Sequence, residues 1–132
     1  MDIQRISSGV PFEDTVAYSR AVRVGDTVLV SGTTAATPDG AIAGGGDAYL
    51  QAKAALETIA AALSAAGASL DDVVQTRMYV TEISRWEEVG RAHAEAFAAA
   101  RPVTTMVEVS SLVDPRMLVE IEAVAVVRRP AG

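Results

Sequence analysis

The chain contains no cysteine. That excludes disulfides, thiolate nucleophiles and zinc–thiolate sites, and it fits a reducing compartment. Histidine occurs once, as His93, and aromatic residues make up only 5% of the chain. His93 has neither a second histidine nor a glutamate at metal-ligand spacing, so no metal site is expected. Basic residues are also scarce, 11 Lys and Arg against 17 Asp and Glu, for a net charge of −6. Such a chain lacks the basic stripe that phosphate backbones require, and nucleic acid is not an expected partner. No apolar run reaches about 18 residues without a charge or a turn, so no membrane span is expected. Met1-Asp2-Ile3-Gln4-Arg5 lacks the basic-then-apolar layout of a signal peptide, and a cytoplasmic location is expected. What is present is a chain of 132 residues, half of them hydrophobic and 21% charged. This is enough for one packed domain over 1–132.

The last third organises the rest. Arg101 to Val109 and Met117 to Val127 are apolar, β-branched runs flanking the turn-like insert Ser110 to Arg116, and they read as two neighbouring strands. In the second run, Glu120 and Glu122 lie two residues apart. Strand geometry puts both on one face, with Val119, Ile121 and Ala123 on the other. On pattern alone a solvated face is the simpler reading, and a carboxylate set in a site is the sharper one.

Upstream, Ile3 to Ser7 reads as an edge strand, broken by Gly9 to Asp14. Tyr18–Val24 and Thr27–Gly32 read as a hairpin turning at Gly25-Asp26. Thr37-Pro38-Asp39-Gly40 is a turn. Asp47 is a candidate N-cap for a helix whose apolar stripe is Tyr49, Ala52, Leu56, Ile59 and Leu63, with Gly67 as its stop. Val73–Val80 is a fourth strand. Ser84 and Glu87 have capping-box spacing before a second helix with Trp86, Val89, His93, Ala96 and Phe97 on its stripe. Arg128-Arg129-Pro130 closes the domain. The expected order is βββαβαββ, an α+β mixed sheet with two helices on one face. The other face, showing Thr76, Met78 and Val80 or their alternates, needs a partner, and a closed oligomer supplies one.

Few groups offer chemistry. A lone histidine on an apolar helix stripe reads first as a packed residue. Gly44-Gly45-Gly46 precedes a helix but lacks the Gly-Lys-Ser/Thr of a phosphate loop, so it reads as a flexible loop. Ser19 and Ser31 have no His or Lys nearby in sequence to activate them. Arg20 lies two residues after Tyr18, on the same face of its strand, and its guanidinium suits a carboxylate. It could bind a ligand, or pair with Glu120 or Glu122. Arg77 and Tyr79 form a similar but weaker pair.

The C-terminal pattern, Pro102-x-x-x-x-Val107-Glu108-Val109, a short loop, then Val119-Glu120-Ile121-Glu122-Ala123-x-Ala125, resembles the signature of the RidA/YjgF family. Tyr18 ahead of Val30-Ser31-Gly32 extends the resemblance over nearly the whole chain. It implies a chorismate-mutase-like α+β fold and a homotrimer with a small-molecule site at each subunit interface. It also implies cofactor-free deamination of enamines and imines such as 2-aminoacrylate, with Arg on the substrate carboxylate and a Glu-held water attacking the imine carbon. Carried over residue by residue, Tyr18, the Gly32 region and Glu120 fall on family site positions, which makes Glu120 the catalytic candidate; with Arg20 from its spacing to Tyr18, the substrate-binding candidates are Tyr18, Arg20, Gly32, Thr104 and Thr105. The Arg of active deaminases is replaced by Thr104, and an Asn often found early in the second helix is Gly90. The substrate is therefore expected to differ from 2-aminoacrylate. The alternative is a non-catalytic trimeric binder or sensor of a small metabolite.

Overall fold

The computed structural model describes residues 2–128, so Arg129 and Pro130 of the expected closing segment lie outside the described residues. Six strands form one mixed sheet: β1 (Ile3–Ile6), β2 (Ala21–Val24), β3 (Thr27–Thr33), β4 (Val73–Val80), β5 (Val103–Glu108) and β6 (Val119–Val126). Three helices accompany them: α1 (Pro11–Val16), α2 (Ala48–Ala65) and α3 (Trp86–Phe97). The sheet order is β1-β2-β3-β6-β4-β5.

The two C-terminal strands are therefore not neighbours, as their sequence suggested. β4 lies between them, antiparallel to β6 and parallel to β5. The reason is the α3 crossover. A strand followed by a helix returns parallel beside its predecessor, so β5 takes the outer edge of β4. The residues after β5 then step back over β4 to bring β6 into the middle.

Alternation along β6 is strict. Val119, Ile121, Ala123 and Ala125 are buried on the side that α2 covers, while Glu120 and Glu122 occupy the other face. That face shows the alternates Arg77 and Tyr79 of β4, not Thr76, Met78 and Val80, which are buried. It also exposes Leu29, Val103, Val107 and Val126.

The helix α2 starts and stops where the caps indicate. Asp47 accepts from the Leu50 N–H at 3.0 Å. Gly67 has φ +81°, and the Ala68 N–H reaches back to the Leu63 carbonyl at 2.8 Å, a left-handed stop that glycine adopts without strain. The start of α3 differs from expectation. Ser84 lies inside a 3-10 turn (Ile83–Arg85) and caps nothing. Glu108 accepts from the Ile83 N–H instead, at 3.0 Å. Trp86, placed on the buried stripe by spacing, is 54% exposed, because the stripe proper begins only at Val89. A third helix, α1, replaces the expected break. Pro11 at its first turn is pre-set for helical φ, and Glu13 and Asp14 suit its N-terminus.

The glycine run is anchored rather than flexible. Gln51, fully buried on α2, donates to the Gly45 carbonyl at 2.6 Å and to the Arg116 carbonyl at 2.9 Å, and accepts from the Leu118 N–H at 2.9 Å. Arg85 donates to the Gly46 carbonyl at 2.8 Å. Gln51 thus ties two loops to the start of β6. Gln51→Leu keeps the volume but leaves three backbone groups unpaired, so it is expected to destabilise the protein by about 2–4 kcal/mol. Urea unfolding monitored by circular dichroism checks this, with a loss under about 0.5 kcal/mol counting against the role.

Candidate functional site

A cavity of about 320 Å³ opens where α1, the start of β2, β3 and β6 meet. Local backbone features build it. The left-handed Ala17, φ 70°, ends α1 and turns Tyr18 back onto the sheet, with both the Ala17 and Tyr18 N–H groups donating to the Glu13 carbonyl. A non-glycine residue in this region costs on the order of 1 kcal/mol, consistent with a segment selected for where it sends the chain. Against β6, β3 carries an irregularity between Val30 and Thr33. Three steps on β3 match two on β6 from Ala123 to Ile121, which is a bulge at Ser31-Gly32. The bulge sets Gly32 against the Glu120 side chain. A Cβ added at Gly32 would lie 2.7 Å from Glu120 Oε2, so a side chain there would push the carboxylate out of its present place.

Glu120 is half-buried in the cavity wall. Burial pushes its carboxyl above the ordinary value, Arg20 pulls it back, and Glu122 adds to the rise, leaving a net upward shift. Among the described residues it has no hydrogen-bond or ion-pair partner.

Arg20 is only 3% exposed. Its Nη1 donates to the Gly32 carbonyl at 2.7 Å and to Thr33 Oγ1 at 3.0 Å, its Nη2 to the Tyr18 hydroxyl at 3.2 Å, and its Nε to Ser8 Oγ at 3.2 Å. Its ion-pair partner is neither Glu120 nor Glu122 but Glu13, 3.5 Å away and equally buried. Burial alone would raise the Glu13 carboxyl. Hydrogen bonds from Ser8 and Ser7 and the Arg20 charge outweigh it and hold the group below the ordinary value of 4.5. Glu13 was not legible as a site residue. The signal for it was Pro11 ahead of two acidic residues, a helix start.

Of the residues singled out in sequence, Tyr18, Arg20, Gly32 and Glu120 line this one cavity. Thr104 and Thr105 do not reach it, because they sit on β5 at the far edge of the sheet, beyond β4. Thr104 points to the helix side, where its hydroxyl accepts from Thr76 at 2.7 Å, and Thr76 Oγ1 lies 2.8 Å from His93 Nε2. His93 is half-buried and stacked near Phe97 with ring centroids 4.6 Å apart. Burial lowers its pKa. Thr105 pairs with Arg77 on the open face. There the Tyr79 hydroxyl donates to Glu122 at 2.5 Å and Arg77 lies 3.7 Å from the same carboxylate oxygen.

Apolar residues that the sequence did not mark also line the cavity, among them Phe12 and Val16 of α1, and Val113 and Met117 of the segment before β6. That segment is held by a clamp in which Arg116 bonds Asp114 through its backbone N–H and two guanidinium nitrogens at 2.9–3.0 Å. These bonds bring the Asp114 carboxyl down to about 2. Among the described residues no group of three or more His, Cys, Asp or Glu is arranged to hold a metal ion. No described helix is long and apolar enough to cross a membrane.

The family model for endoribonuclease L-PSP matches residues 10–127. A crystal structure from Mycobacterium tuberculosis, of a member of the YjgF/YER057c/UK114 family, shares 53% identity and superposes with a TM-score of 0.87, over 96% of this chain and 100% of that one. An uncharacterised Streptomyces coelicolor protein is 40% identical over 93% of this chain and 91% of its own length. The E. coli protein TdcF, solved with bound serine, is 29% identical with a TM-score of 0.76, over 83% of this chain and 87% of that one.

Proposed function

The chain belongs to the endoribonuclease L-PSP family, the RidA/YjgF group, and from that premise we propose that it is a cytoplasmic, cofactor-free hydrolase of imines or enamines that works as a homotrimer. The observation that carries this reading is Glu120: a half-buried carboxylate in a cavity, without a protein partner among the described residues, its pKa raised by burial. A carboxyl of this kind can hold a water, take its proton and return it to a leaving nitrogen. The Tyr18 hydroxyl, aligned by Arg20, orients the substrate, and Gly32 admits the carboxylate that does the work. Water adds to the imine carbon, the nitrogen takes up a proton, and the adduct releases ammonia to leave a carbonyl.

The trimer rests on the open sheet face, where exposed Leu29, Val103, Val107 and Val126 surround the Arg77–Glu122–Tyr79 cluster. A face of this kind is stabilised by closing against copies of itself. Such closure would also bring the β5 edge of one copy, with Thr104 and the Thr105 backbone, to the cavity of another. Serine bound to TdcF supports a small-molecule ligand class for the family. With a net charge of −6, the chain offers little to the RNA backbone that the family's ribonuclease description suggests.

Thr104 favours the second reading, a binder or sensor, in one respect: a neutral hydroxyl replaces a guanidinium. Losing that charge-assisted pair is worth roughly 1.5–3 kcal/mol, or about tenfold to a hundredfold in affinity. 2-Aminoacrylate generated in situ should therefore be deaminated about tenfold or more slowly than by an Arg-bearing relative, and Thr104→Arg should raise the rate. Ammonia release from a panel of imines tests the hydrolase itself. No acceleration of any of them, together with tight binding of a small metabolite, would establish the sensor.

A further inference from the structure

Nearly every polar group around the cavity is already bonded within the protein. Ser31 donates to the Ser19 carbonyl and Thr33 to the Ser31 carbonyl, both at 2.7 Å, and Thr34 Oγ1 accepts from the Ala36 N–H at 3.2 Å. Among the described residues Arg20 is the one cation in the wall. A bidentate grip on a carboxylate takes two N–H donors along one edge of the guanidinium. Each edge of Arg20 includes Nε or Nη1, and those nitrogens already donate to Ser8, Gly32 and Thr33. Glu13, 3.5 Å away, balances its charge. The capacities that remain include the Glu120 carboxylate, the Tyr18 proton, since the Tyr18 oxygen is an acceptor for Arg20, the Thr34 proton, since Thr34 Oγ1 is an acceptor for the Ala36 N–H, and a single N–H of Arg20 Nη2. The rest of the wall is apolar, with Val16 and Val113 flanking it at 66% and 70% exposure, and Phe12 and Met117 beside them.

Resting on the hydrolase reading above, we infer that the site takes imines with an apolar body and no carboxylate, bound as the neutral imine or the iminium cation with its nitrogen on Glu120. A substrate carboxylate would face Glu120 as a like charge, with no two-donor edge of Arg20 open to it. Thr104, where the resemblance expects a cation, offers only a neutral hydroxyl, turned to the helix side where it accepts from Thr76. A protonated nitrogen instead gains the one uncommitted negative charge, and its alkyl group gains contact with Phe12, Val16, Val113 and Met117. The reaction balances without a further reagent. Water oxygen bonds to the imine carbon, and the C=N electron pair moves to nitrogen, which is protonated by way of Glu120. The C–N bond then breaks to release ammonia and an aldehyde or ketone.

A matched pair tests this. Oxidation of isobutylamine by an amine oxidase and of valine by an amino-acid oxidase yields imines with the same side chain, without and with a carboxylate. Hydrolysis is followed by competition with semicarbazide trapping. The isobutylamine imine is expected to be accelerated about tenfold more than the imino acid. Equal or greater acceleration of the imino acid overturns the substrate class while leaving the hydrolase intact. If neither imine is accelerated, the hydrolase reading fails and the ligand class is decided by calorimetry with isobutylammonium and isobutyrate. Tighter isobutylammonium binding that is lost in Glu120→Gln upholds the class. Tighter isobutyrate binding, or no binding of either, overturns it.

Discussion

Glu120→Gln is expected to lower kcat/KM for any imine the protein hydrolyses by about a hundredfold or more, the range for removing a positioned acid–base group. The amide fits the same space against Gly32 but can neither take nor give the proton. Stability should not suffer. Burial raises the Glu120 carboxyl, so its folded-state pKa lies above its unfolded value and its ionised form weighs against folding at neutral pH. A neutral amide removes that term, and the melting temperature should hold or rise. The wild-type rate should show an acidic limb displaced upward from 4.5, absent in the variant. A variant with wild-type turnover, or one that fails to fold, would remove Glu120 from its role.

Arg20→Leu should produce the largest loss of stability in the chain. The substitution strands the Glu13 carboxylate, which is 5% exposed, together with the Gly32 carbonyl and the Thr33 and Tyr18 hydroxyls that Arg20 serves. Breaking one side of a buried pair costs about 3–5 kcal/mol, or roughly 10–18 °C in melting temperature for a chain of this size. The Glu13→Leu/Arg20→Leu double variant should lose less than the sum of the two single variants, because no charge is then left buried without its partner. Additive losses in that cycle would mean that the ion pair itself contributes nothing. Acid should weaken the same network. Glu13 titrates below its ordinary value when folded, so its contribution is full above 4.5 and fades as pH falls through the lower folded value.

Periodicity alone located most of the elements, because burial is written into the alternation of a strand and the stripe of a helix. The β6 pattern from Val119 to Val126 and the α2 stripe needed no tertiary information. Nor did the Asp47 and Gly67 caps, whose hydrogen bonds close within a few residues. The local motif around Glu120 marked a carboxylate out of place in an apolar strand, and the family resemblance named its role.

Other features depended on contacts between segments far apart in the chain, which no local pattern encodes. Strand order is one: β5 and β6 look like partners until the α3 crossover puts β4 between them. The commitment of Arg20 is another. Its fork reads as open to a ligand in sequence, and it is closed only because α1 folds Glu13 beneath it and the β3 bulge turns the Gly32 carbonyl toward it. The apolar half of the cavity comes from Phe12 and Val16 on one side and Val113 and Met117 on the other, residues about a hundred positions apart. Sequence by itself determined a carboxylate and the sheet that carries it. Tertiary structure decided what stands around that carboxylate, because desolvation and hydrogen-bond saturation are properties of neighbours in space.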